Sequence, residues 1–196
     1  MKRILTLLLV LNISVLGFIP SDTIKAKIAI LHRSGEIYNP LKIRDRLRVG
    51  EMLRIFILPA TDCFAYIIHS SDGESTLLGK AEIKAGKDTL ILPNPSDFYV
   101  FDEAGVKEKI SIICSAEKLD EVESLFKKKE YASAPLWERV ETKIISQNKP
   151  NLSETSDKPF PMAGNVSSVN EDFIEMMNYF EGNKVILRRY EIEIKK

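Results

Sequence analysis

A chain of 196 residues suits one domain with extensions. Its 44% hydrophobic and 29% charged residues are ordinary for a globular protein with a real core. The formal net charge is zero, so nothing pulls the whole chain toward nucleic acid or anionic lipid.

The N-terminus opens with basic Met1-Lys2-Arg3, followed by an apolar stretch from Ile4 to Ile19. Ser21-Asp22 then restores polarity. This order reads as a secretory signal peptide over residues 1–26, with a cut after Ala26 or Gly17. A retained membrane anchor is the competing reading, but the apolar run falls short of the roughly 18 residues that a spanning helix needs. Losing residues 1–26 removes three cations and one anion, which leaves a net charge of −2. The expected address is therefore the periplasm, cell envelope or exterior.

Lys27 to Leu31 reads as a short strand, Arg33 to Glu36 as a turn, and Ile37-Tyr38 as the start of a second run. This lead-in is expected at an edge or as an exposed arm. Leu53 to Leu58 is apolar on both faces apart from Arg54, the pattern of a central strand, and Pro59 ends it. Cys63 to Ile68 is again apolar on both faces. Asp72-Gly73 is a hairpin-turn pair, and Thr76 to Leu78 is the return strand. Thr89 to Leu92, the aromatic run Phe98 to Phe101 and Ile110 to Cys114 follow, separated by turn residues.

The period then changes. Leu119, Val122, Leu125 and Phe126 mark a short helix. Ser133 to Ile145 is expected as a second helix, with Leu136, Val140 and Ile144 on one stripe and Trp137 beside it. Residues 147–168 read as a linker, with Asn151 and Asn165 in weak glycosylation triplets. Glu171 to Phe180 reads as a helix presenting Phe173, Met176, Met177 and Phe180. Val185 to Ile194 alternates apolar and charged residues, as in a half-exposed edge strand.

The chemical inventory is sparse. No phosphate-cradling glycine loop, nucleophile elbow or zinc-protease helix motif occurs. His69 stands beside Ser70, Ser71 and Asp72, where a solvated turn histidine is the plainer reading than a catalytic base. Cys63 and Cys114 with His32 and His69 lack metal-ligand spacing. No catalytic, cofactor-binding or metal residue is therefore assigned. In an oxidising compartment Cys63 and Cys114 could form a disulfide; two small buried residues are the alternative.

The central part, about residues 41–126, resembles a bacterial family known as domain of unknown function 4384. The resemblance rests on Leu47-Arg-Val49-Gly50-Glu51, the strand Cys63-Phe-Ala-Tyr66, Asp72-Gly73 and Thr76-Leu77-Leu78. Ala85-Gly86-Lys87, Leu92-Pro93, Phe101-Asp102, Gly105 and Ser115 with Leu119 complete it. It implies a β-sandwich module of exported or multi-domain bacterial proteins and carries no catalytic residue. Glu51 stands where the pattern usually has Asp.

The expected architecture is mainly β: an antiparallel β-sandwich with immunoglobulin-like layers over residues 27–126, then a helical and irregular extension with a linker over 127–183. A last strand over 184–196 is expected to be able to return to the sheet. The expected role is a non-catalytic interaction module of the cell envelope, with an envelope or secreted protein as partner, no nucleic acid and no cofactor. Membrane contact is expected only through an uncleaved N-terminal segment. The alternative is a small-ligand or glycan-binding domain built on Tyr38, Tyr66 and Tyr99.

Overall fold

The computed structural model describes residues 23–148 and 171–196. It is mainly β, with two six-stranded sheets and a few short helices. Sheet A contains β1 (Thr23–Ser34), β2 (Ile37–Pro40), β4 (Met52–Pro59), β7 (Leu90–Leu92), β8 (Tyr99–Val100) and β11 (Asn178–Asn183). Sheet B contains β3 (Arg44–Arg48), β5 (Cys63–Ser71), β6 (Glu74–Ile83), β9 (Lys107–Ser115), β10 (Tyr131–Ser133) and β12 (Val185–Lys195). Its order is β10-β6-β5-β9-β12-β3, with every neighbour antiparallel except β12 and β3.

One buried cluster draws on both sheets: Ile28 and Ile30 of β1, Ile55 and Ile57 of β4, Ile67 of β5, Ile112 of β9 and Ile192 of β12 belong to it. The other faces of the central strands are covered too. On sheet A, Leu31, Phe56 and Ile91 pack with Ile174 and Met177, beside the short helix α3 (Glu171–Glu175). On sheet B, Tyr66, Ile68 and Ile113 meet Val122 and Phe126 around helix α1 (Asp120–Leu125). Trp137 and Ile144 of helix α2 (Ala134–Asn148) complete that cluster. Burial on two faces explains why β4 and β5 read as continuous apolar runs although both pair antiparallel with their neighbours.

Several expectations need correction. Of the lead-in hairpin, β2 pairs only with β1 and lies at an edge, but β1 does not: it pairs with β4 along one side and with β11 and β2 along the other. β1 starts at Thr23, so the last four residues of the expected leader are strand, with Ile24 2% and Ala26 0% exposed. The rest of that leader lies outside the described residues, as do Asn151 and Asn165. The helix expected over Glu171 to Phe180 stops at Glu175, and Phe180 instead sits in β11, opposite Ala26. Main-chain pairing with β1 overrides the helical spacing of those apolar residues. β12 is not an edge strand, because β9 and β3 flank it. β10 and β11, both inside the span expected to be helical or irregular, are strands of the two sheets.

The turns follow the sequence closely. Asp72 and Gly73 both have positive φ, 46° and 81°, the geometry that a two-residue hairpin between β5 and β6 needs. Edge strand β3 carries a device of its own. Its odd-numbered flanks bond toward β12, with Glu191 N–H donating to the Ile43 carbonyl and Val49 N–H to that of Lys195. The outward Arg46 N–H donates to its neighbour Asp45 Oδ1 at 2.9 Å, and the Arg48 N–H to Glu51 Oε2 at 3.2 Å.

Candidate functional site

The outer face of sheet B changes character toward one end. Around β5 and β9 it is apolar and lies under α1 and α2. Beyond that, alternate residues of β9, β12 and β3 form charged rows across the strands. Lys109 lies opposite Glu191, which lies opposite Arg44; Lys107 lies opposite Glu193, which lies opposite Arg46. Opposite charges placed directly across a sheet attract. Arg44 reaches Glu191 at 3.3 Å and Arg46 reaches Glu193 at 3.0 Å. The Lys195 ammonium, then the Arg46 guanidinium, hold the Glu193 carboxyl below its usual value.

Over these rows opens a cleft of about 920 Å³. The β5–β6 hairpin and the start of α2 wall it on one side, through Ser70, Asp72, Ala134 and Glu138. The Ala134 N–H donates to the Gly73 carbonyl at 2.8 Å and ties that helix start to the hairpin. Lys42 and Lys107 reach into the cleft with no ion pair among the described residues.

Behind the wall lies Glu141 of α2, 0% exposed. Ser111 Oγ donates to its Oε1 at 2.5 Å, Arg189 Nε donates to the same oxygen at 3.2 Å, and Arg189 Nη2 donates to Oε2. Lys109 stands 3.9 Å away and also pairs with Glu138 at 3.1 Å. A buried carboxylate survives only when it is paired and hydrogen-bonded in this way. Sequence reasoning placed Leu136 on the buried stripe of α2; it is 47% exposed, and Trp137, Glu141 and Ile144 form the buried face.

His69, singled out in the sequence, lies at the rim. Its Nε2 is 2.5 Å from Glu108 Oε2, and Ser71 Oγ donates to Glu108 Oε1 at 3.1 Å. The carboxylate stands between the imidazole and the hydroxyl. A nucleophilic relay needs the imidazole in the middle, taking the hydroxyl proton. Here the Ser71 proton points to Glu108, so the cluster braces the ends of β5 and β9. No group of three or more His, Cys, Asp or Glu able to hold a metal ion occurs among the described residues.

The three tyrosines of the ligand-binding alternative are not brought together. Tyr66 packs among the residues of α1 and α2 at 1% exposure, and its hydroxyl accepts the Leu119 N–H and donates to Glu123. Tyr99 packs against the cluster shared by the two sheets, and Tyr38 lies in the cluster beside α3. Cys63 and Cys114 are free, buried thiols in the shared cluster. Cys114 lies opposite Ala65, two residues along from Cys63. The bond to Cys114, offset by burial, lowers the Cys63 value; the same bond and burial push Cys114 up.

Arg189 to Lys195 alternates charged and apolar residues, whereas Arg44-Asp45-Arg46-Leu47-Arg48 holds a single apolar residue, Leu47, so its part in the charged rows has no period-2 signal. No family model, curated protein or solved structure matches the chain. No helix among the described residues is long and apolar enough to cross a membrane.

Proposed function

We propose that this chain is an exported, non-catalytic β-sandwich module that binds another protein at the cell envelope, and that the cleft on sheet B is its docking place. Under this reading the two sheets are the immunoglobulin-like layers of the sandwich, packed through the cluster they share. The basic and apolar leader and the resemblance to domain of unknown function 4384 support the address and the class. The adjacent Cys63 and Cys114 thiols are then placed to be able to pair in an oxidising compartment.

The observation that carries the reading is the pair of charged rows, Lys109–Glu191–Arg44 and Lys107–Glu193–Arg46, on the floor of an open cleft. A floor of alternating sign suits neither a polyanion such as nucleic acid nor a lone small charge. It suits an extended protein segment whose own charges alternate, because the paired side chains can exchange partners at little cost in a solvated site.

The test is site-specific photo-crosslinking in the native envelope. A photoreactive residue at Arg46 should give one discrete protein adduct, and one at Glu82, at the end of β6 remote from the hairpin turn and the cleft, should not. Charge reversal at Lys107, Lys107→Glu, should reduce that adduct. No adduct from position 46, or equal adducts from 46 and 82, would sink the proposal.

A further inference from the structure

On the outer face of sheet A, the sheet that does not carry the charged rows, two arginines share one aromatic ring. Arg33 of β1 lies opposite Met52 of β4 and Tyr38 of β2, and Arg54 of β4 lies opposite Leu31 of β1. The two are therefore diagonal neighbours on one face. Phe98 comes over them from the loop after β7, with the Arg54 guanidinium carbon 3.8 Å and that of Arg33 4.7 Å from the ring centroid.

Neither guanidinium has a carboxylate at ion-pairing distance among the described residues. Arg54 is 8% exposed, and its Nε and Nη2 both donate to a neutral acceptor, the Asp97 carbonyl, at 3.1 and 3.0 Å. Arg33 Nη2 meets the Met52 sulfur at 3.3 Å, a weak acceptor. The Asp97 carboxylate acts on Arg54 from a distance but accepts from Asn94 Nδ2 at 2.5 Å, inside its own loop. Burial pulls the Arg54 guanidinium below its ordinary value, and the Arg33 charge adds to that pull against the opposing effect of Tyr38.

Two like charges held together and partly desolvated are costly unless something offsets them. The Phe98 face offsets part, as a cation–π partner. Each guanidinium carries five N–H donors, and most of them here have no strong acceptor. With the Nε–Nη2 edge of Arg54 taken by the Asp97 carbonyl, the unmet donors are the remaining Nη hydrogens of Arg54 and the guanidinium of Arg33, planar groups whose geometry matches an oxyanion.

We propose that Arg33 and Arg54, with Phe98 as cover and Tyr38 as wall, form a binding site for a small oxyanion: a carboxylate, phosphate or sulfate group. The site stands on the opposite sheet from the docking cleft and does not depend on that cleft having a partner. Tyr38 stands beside Phe98 at 6.3 Å between centroids and is itself packed on Phe173 at 4.8 Å.

The full-length protein is titrated with phosphate, sulfate and acetate against chloride at constant ionic strength, following the arginine Nε–Hε resonances by NMR. Two resonances should shift saturably with at least one oxyanion and stay in place with chloride. The anion that saturates at the lowest concentration identifies the source. Arg33→Gln should weaken binding by about tenfold or more, the loss expected for one charged hydrogen-bonding partner. Arg54→Lys, which keeps the charge without the fork, should weaken it as well. Lys107→Gln in the cleft should leave it unchanged. Equal, non-saturating shifts in chloride would overturn the site, as would affinity that survives Arg33→Gln. Loss on Lys107→Gln would move the anion to the cleft and overturn it too.

Discussion

Glu141 ties helix to sheet through charge rather than oil. Its carboxylate accepts from Ser111 and from two nitrogens of Arg189, and it is fully buried. Removing it strands the guanidinium in a half-buried place. Glu141→Ala should cost about 3–5 kcal/mol in urea unfolding, the range for breaking a buried pair. Adding Arg189→Ala should then cost much less than Arg189→Ala alone, because the two residues act as a unit. A second carboxylate gives a pH signature. Lys80 Nζ, 2.7 Å away, holds the Glu123 carboxyl below its usual value, helped by the Tyr66 hydroxyl. A carboxyl depressed in the folded state contributes stability above its unfolded value, about 4.3. That contribution disappears as pH falls through the folded value. Wild type should exceed Glu123→Gln in melting temperature at neutral pH, and the gap should close below about pH 4.

Element by element, legibility depended on what covers each face. β4 and β5 were readable because both of their faces are buried, so their apolar runs are continuous. The β5–β6 turn was readable because Asp72-Gly73 names its own geometry. α2 was found but rotated, because a charged residue, Glu141, occupies the buried face and periodicity counts only apolar residues. This has a direct check: Leu136→Lys should change stability by less than about 0.5 kcal/mol, whereas Ile144→Ala should cost about 2–5 kcal/mol. β12 looked like an edge because its outer face opens on a cleft; an open face and an open edge leave the same alternation. β3 was missed because only Leu47 among its residues is buried. Its pairing is also remote, as the Arg46–Glu193 contact spans 147 positions of chain. The start of β11 reads as helix because Phe173, Met176, Met177 and Phe180 fall at helical spacing, and its pairing with β1 is a long-range contact that local periodicity does not carry.

At the scale of the whole molecule, the two sheets depend on the chain's first described residues. Lys25 receives the Ala60 N–H on its carbonyl, and its own N–H donates to Thr61 Oγ1. A chain beginning at Thr23 should keep the full melting temperature. One beginning at Lys27 should lose at least about 2 kcal/mol, from the burial of Ile24 alone. Under the proposed reading of an exported chain, N-terminal sequencing should find the start upstream of Thr23, as a cut after Gly17 would leave it and a cut after Ala26 would not.

The carboxylates of Asp45 and Glu51 reach further than β3 itself. They already occupy two of the three N–H groups that this strand turns outward, at Arg46 and Arg48. A second copy sliding in strand to strand would find those sockets filled, which disfavours growth of sheet B from this side. Whatever settles beside β3 must be held by side chains, and holding by side-chain charge loosens as salt rises.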